Sequence, residues 1–117
     1  MPVRWTWDEA SGTYLREEYG EPHLDTTGAQ INVQNVVVQF IPYGTSTVDA
    51  RSPQGYTVGE GDAMVFSGGL MQYVHWSRPS AESPAVFTQA DGSTVQLTPG
   101  RTWVELAEAG VSRLTPL

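Results

Sequence analysis

The sequence predicts an all-β domain, a single small barrel or sandwich of about eight short, mostly antiparallel strands. Three observations carry that expectation. The 12 glycines and 8 prolines are spread along the whole chain and punctuate it too often for long helices. The segments between them are rich in valine, threonine, tyrosine and tryptophan, residues that suit a pleated, half-buried surface. Two glycine-centred reversals, Gly68-Gly69 and Asp91-Gly92, separate β-prone stretches in the manner of tight hairpins. At 117 residues the chain suits one domain with one core.

The elements follow in order. Val3–Trp7 reads as a strand with Val3, Trp5 and Trp7 on one face, and 8–12 as a hairpin loop. Thr13–Glu18 is the second strand, with Tyr14 and Arg16 sharing a face; Gly20-Glu21-Pro22 breaks it. His23–Gln30 is irregular, with a turn at Thr27-Gly28. Asn32–Ile41 is almost continuously β-prone, the pattern of a central strand buried on both faces. Pro42–Gly55 is expected to be a long exposed loop, Tyr56–Val58 a short strand, and 59–62 a solvated turn. Ala63–Ser67 and Leu70–Ser77 form a hairpin. Arg78–Pro84 is a loop. Val86–Gln89 and Thr94–Leu97 pair across Asp91-Gly92, and Thr102–Leu106 is the last strand. The domain is therefore expected over 1–106, with 107–117 as a tail that frays or forms a weak helical turn.

Six Lys+Arg, all arginine, stand against 13 Asp+Glu, giving a net charge of −7. Such a surface repels phosphate backbones and anionic headgroups, so neither nucleic acid nor a lipid surface is an expected partner. No apolar run approaches the ~20 residues of a membrane helix. The absence of cysteine excludes disulfides, thiolate metal sites and cysteine nucleophiles. Val3–Trp7 follows the first residues without a signal-peptide core, so the chain reads as part of a longer protein.

Few residues offer chemistry. Trp5, Trp7, Trp76 and Trp103 are expected in the core, and Tyr43 and Tyr56 at the border of the long loop are expected to be exposed. His23-Leu24-Asp25 is the most suggestive unit. In extended backbone both polar side chains share a face, and a carboxylate beside an imidazole can fix its tautomer and raise its basicity. The competing reading makes Asp25 the cap of its own loop. Arg16, Arg78 and Arg101 border aromatic strands and either grip an anion or pair internally, Arg16 with Asp25 for example. Ser67-Gly68-Gly69 lacks the context of a nucleophile elbow, and Glu60 and Asp62 read as a solvated turn. Only His75 and scattered carboxylates remain to complete a metal set around His23. No catalytic residue, metal or cofactor is assigned.

Together, Gly12-Thr-Tyr14-Leu-Arg16, His23-Leu-Asp25-Thr-Thr-Gly28, Asn35-Val-Val-Val, Trp76-x-Arg78 and Asp91-Gly92 through Pro99-Gly100-Arg101-Thr-Trp103-Val resemble the C-terminal domain of YerB-like bacterial lipoproteins, from about Trp5 to Glu105. The resemblance implies a domain of unknown function that follows an N-terminal domain and a lipoprotein signal, on the outer side of the cytoplasmic membrane. It marks Tyr14, Arg16, His23, Asp25, Asn35, Trp76 and Arg78 as candidate ligand-binding residues and gives none a catalytic role. The expected function is a non-catalytic binding module whose partner is a cell-wall component, an envelope protein or its own N-terminal domain. The alternatives are a hydrolase using His23 and Asp25, and a purely structural or interaction domain.

Overall fold

The structure, a computed structural model, describes residues 3–45, 53–55 and 57–108. Every regular element in it is a strand: β1 (Val3–Asp8), β2 (Thr13–Glu18), β3 (Glu21–Pro22), β4 (Asn32–Val33), β5 (Asn35–Ile41), β6 (Tyr43–Thr45), β7 (Pro53–Gly55), β8 (Gly59–Ser67), β9 (Leu70–Arg78), β10 (Val86–Thr88) and β11 (Thr102–Glu108). Two sheets do most of the building. One is five-stranded in the order β10-β9-β8-β5-β11; the other is four-stranded, with β1, β2 and β3 in line and β4 also paired to β2. The fold is thus a two-layered sandwich rather than a closed barrel. β6 and β7 form a separate two-stranded ribbon.

Alternation along β5 explains the layering. Val36 and Val38 point towards the smaller sheet, where they pack with Tyr14, Val33 and Met64 and with the half-buried Trp5, Trp7, Phe40, Phe66 and Trp103. Val37 and Ile41 point the other way, onto Ala63, Val65, Val74, Trp76 and Val95, with Phe87 alongside. That second face is covered by the segment around Phe87 and Val95, which leaves a shallow apolar groove of about 230 Å³. Phe66, Val36 and Trp103 stand in one row across the large sheet. Tyr14 lies against Phe66 at one end of that row, and Trp5 against Trp103 at the other. The smaller sheet therefore runs across β8, β5 and β11.

Several expected boundaries shift. The expected strand 32–41 breaks at Gln34, because β4 pairs with β2 whereas β5 joins the other sheet; the break is where the chain changes layer. Residues 59–62, expected as a turn, begin β8 and pair with β9 up to Arg78. Thr57 and Val58 are not strand, and Tyr56 lies outside the described residues. Most of the expected loop 42–55 also lies outside them, and its ends form β6 and β7. Thr94–Leu97 is no strand: only Thr94 bridges, to Thr88, although Val95 N–H still donates to Phe87 O at 2.9 Å. Glu21-Pro22, expected only to end β2, turns back onto it through Tyr19 and Gly20, both at positive φ, the geometry of a two-residue hairpin turn. The last strand runs to Glu108, and 109–117 lie outside the described residues. One pairing is parallel, β11 to β5.

Gly61 illustrates how tightly the second face is packed. A Cβ placed there would sit 2.7 Å from Trp76 Nε1 and 3.2 Å from Phe40 O. Those two atoms are the partners of a 2.8 Å hydrogen bond. Gly61→Ala is expected to cost about 1–3 kcal/mol through overpacking, and a chemical-denaturation midpoint unchanged from wild type would contradict that packing.

Candidate functional site

Alternation on β2 places Tyr14 and Arg16 on the inner face, opposite Trp7 and Trp5 of β1. Arg16 is only 3% exposed. Its guanidinium lies between two indoles, 4.7 Å from the Trp103 ring centre and 5.7 Å from that of Trp5. A buried guanidinium needs acceptors, and they come from three places in the sequence. Nη1 donates to Glu18 Oε1 at 2.6 Å, and Nε and Nη2 both lie 3.2 Å from Glu105 Oε1. Nη1 also contacts His23 Nδ1. Arginine has no acceptor, so Nδ1 is the accepting atom in this contact. Glu18 Oε1 stands 3.7 Å from the same Nδ1, and the imidazole meets Trp103 edge-on with 6.3 Å between ring centres.

Backbone pairing brings His23 to Arg16. Arg16 O accepts from His23 N–H at 3.0 Å and from Gln30 Nε2 at 2.9 Å, and Arg16 N–H donates to Ile31 O at 3.0 Å. The loop between β3 and β4 is thereby fastened along β2. The result is a charge cluster with a dry base and a wet lip. The Arg16 side chain is 4% exposed, whereas those of Glu18, His23 and Glu105 are 28%, 28% and 30% exposed. Two carboxylates in the cluster share one guanidinium. Trp5 Nε1–H is buried beside it without a hydrogen-bond partner.

Arg16→Ala removes the filling between the two indoles and leaves both glutamates free to face water. The expected cost of about 2–3 kcal/mol therefore comes from lost packing rather than from a stranded charge. Urea unfolding of Arg16→Ala beside Arg16→Met tests this: methionine should recover most of the loss, and a methionine variant as unstable as the alanine one would show that charge pairing dominates.

The other expected site residues do not join this cluster. Asp25 does not face His23: its Oδ1 accepts from Thr27 N–H at 2.8 Å, Thr27 Oγ1–H at 2.5 Å and Ala29 N–H at 3.2 Å, closing its own turn. No hydrogen bond or ion pair links Asp25 to His23 or to Arg16, so neither the expected imidazole–carboxylate unit nor an Arg16–Asp25 pair forms. Short-range capping is the stronger competitor for a carboxylate two residues before a threonine. Asn35 is wholly buried at the start of β5 and ties down the segment before β11. Nδ2 donates to Thr98 O at 2.8 Å and Thr102 Oγ1 at 3.1 Å, while Oδ1 accepts from Ser67 Oγ at 2.7 Å and Thr98 N–H at 3.0 Å. Ser67 is thus occupied as a structural donor. Tyr14 Oη accepts from Gly69 N–H at 3.0 Å, and burial pushes its hydroxyl pKa up while that contact opposes the shift. Trp76 belongs to the opposite core. Arg78 donates to Ser83 O, Ala81 O and Thr57 Oγ1 at 2.9, 2.7 and 2.7 Å, a scaffold for the loop after β9. Tyr43 and Tyr56 have no described side chains. Sequence reasoning missed Glu18 and Glu105. Glu18 sits two residues after Arg16 on the same face, a detectable signal; Glu105 is 89 residues away, and only the sheet packing delivers it.

Among the described residues no group of three His, Asp or Glu side chains is placed to hold a metal ion.

Three carboxyls are held below the usual carboxylate range. Thr27 hydroxyl and N–H do this for Asp25, with Ala29 N–H and Arg101 assisting; Ser93 hydroxyl and N–H do it for Asp91; the Arg16 hydrogen bond does it for Glu18. Each folded pKa lies below the unfolded one, so the unfolded chain binds more protons in acid. The stability these groups contribute is present at neutral pH and is lost as pH falls below about 4 towards the folded values. Denaturant midpoints should therefore drop between pH 5 and pH 2.5, with a shallower drop in an Asp25→Asn, Asp91→Asn double variant; parallel acid limbs would contradict the assignment.

Comparison with known proteins agrees with this architecture. Residues 1–104 match the family described as "Protein of unknown function (DUF3048) C-terminal domain". The crystal structure of the YerB protein from Bacillus subtilis is similar, with a TM-score of 0.79 and 22% identity over 90% of this chain. The chain spans 35% of that protein's length. No curated protein matches in sequence. With a family match across nearly its whole length and the same fold in YerB, the chain belongs to the DUF3048 C-terminal domain family.

Proposed function

We propose that the chain is a non-catalytic binding module of an extracytoplasmic, membrane-anchored lipoprotein, with the Glu18–His23–Glu105 lip as its recognition surface. The observation that carries this reading is the arrangement around Arg16: buried and aromatic below, charged and 28–30% exposed above. Sealing these groups from water would cost desolvation, so their outer edges stay hydrated and free to meet a ligand. Here one guanidinium fixes two carboxylates and an imidazole in place and leaves their outer edges accessible, which limits the ordering cost on binding. Hydroxyl- and ammonium-bearing cell-wall fragments suit acceptors of this kind beside indole rings. The envelope location rests on the family's YerB-like lipoproteins, in which an N-terminal domain precedes this one.

Thermal unfolding of the chain with soluble muropeptides and with glycan-strand oligosaccharides tests the reading. A saturating fragment should raise Tm by several degrees, and His23→Ala should abolish that rise while retaining most of the ligand-free stability. Unchanged Tm with every fragment, or an equal rise in His23→Ala, would remove this surface as the binding site. A hydrolase is not favoured, because the His23–Asp25 pair it needs is not formed.

A further inference from the structure

The side of the large sheet that faces β1 and β2 is covered unevenly. Over the middle strands Met64, Val36 and Val38 are buried beneath the smaller sheet. On the next strand Met71, Tyr73 and His75 point to the same side, since they stand opposite Phe66, Met64 and Asp62. They are left in solvent: Met71 is 37% and Tyr73 73% exposed. Val86 of β10, opposite Ser77, continues the strip and is also exposed. Asp62 and Glu60 border it, with Glu60 Oε1 4.0 Å from His75 Nε2. A sheet face is ordinarily buried by a second layer, and here that layer stops short of β9.

We propose that this strip seats the N-terminal domain of the longer polypeptide, through a surface that offers apolar side chains flanked by lysine or arginine. The proposal rests on the reading above that the chain is the C-terminal domain of such a protein. Two observations select this occupant. The matched region is 35% of YerB, so in a protein built on that plan nearly two-thirds of the chain must pack somewhere else, within reach of this domain. The mixed character of the strip, with Met71, Tyr73 and Val86 beside Asp62 and Glu60, suits an interface between domains of one chain, which is smaller and more polar than a permanent subunit contact. A second copy fits poorly, because both partners would then carry the same sign of charge, −7 on each chain, and an acidic border needs basic groups opposite it.

These 117 residues hold no cysteine, so a single introduced thiol reports directly once any cysteine elsewhere in the full gene product is replaced by serine. Tyr73→Cys and, as a control on the loop after β3, Leu24→Cys are each introduced into the full gene product and into the 117-residue chain. Maleimide labelling rates are compared after circular dichroism has shown both variants to be folded. Tyr73→Cys should label about tenfold or more slowly in the full product than in the short chain, as burial requires, with Leu24→Cys equal in both. Equal rates at Tyr73→Cys in a longer product would overturn the docking site and leave the binding-module reading standing. A native product of only 117 residues, seen by mass spectrometry, would overturn both. Protection that appears in the short chain and grows with its concentration would assign the strip to a second copy and overturn the proposal.

Discussion

Replacing Asn35 with aspartate should destabilise the protein by about 3–5 kcal/mol at pH 7, far more than its near-identical shape suggests. The amide is fully buried and uses both ends: its NH2 donates to Thr98 O and Thr102 Oγ1, and its carbonyl accepts from Ser67 Oγ–H and Thr98 N–H. Aspartate keeps the second pair of contacts but sets a carboxylate oxygen against Thr98 O and adds a charge in a dry site. The buried carboxyl would then be easier to protonate in the folded state than in the unfolded one. Folded protein binds more protons, so the variant's deficit relative to wild type should shrink as pH is lowered from 7 towards about 4. Urea unfolding of both proteins at pH 7, 5.5 and 4.5 reads the difference. A deficit independent of pH would mean that the site is hydrated, and an unchanged midpoint would return Asn35 to the list of candidate ligand contacts.

Trp76→Ala should be equally damaging. Trp76 is 1% exposed and the largest fully buried side chain, set among Val37, Ile41, Val65 and Val74, with its Nε1–H bonded to Phe40 O. Losing an indole from such a site costs about 3–5 kcal/mol, because the walls cannot fully collapse and Phe40 O loses its donor. For a domain of this size that corresponds to a Tm lower by about 10–20 °C. Trp76→Phe, which keeps most of the volume, should lose about 1–2 kcal/mol. Calorimetry on the two variants separates volume from hydrogen bond. If alanine were tolerated at Trp76 with a drop of only a degree or two, the second core would be plastic and the residue free to serve another purpose.

These two residues show how strongly a distinctive residue type can be tied to the fold. Asn35 and Trp76 stand out by type, a polar amide in an apolar run and a bulky aromatic at a strand end, and both are distinctive because the fold needs them. Asn35 is the knot between β5, the end of β8 and the approach to β11; Trp76 fills the space opposite Gly61. Arg16 and His23 do come together at a surface. Asp25 was drawn away by Thr27, a partner only two residues distant and therefore cheap in entropy to reach.

The β class, the hairpins around 8–12 and 68–69, the burial of β5 on both faces and the shared face of Tyr14 and Arg16 are all legible in the amino-acid order. All of these follow from two-residue alternation and from turn residues acting over a few positions. The parallel pairing of β11 with β5, the change of layer at Gln34 and the meeting of Glu105 with Arg16 across 89 residues of chain emerge from the packing alone. Local patterning fixes which way a side chain points within its strand. The neighbour it finds there depends on which strands pair and how the two sheets stack, and those choices are set by the summed burial of the whole core.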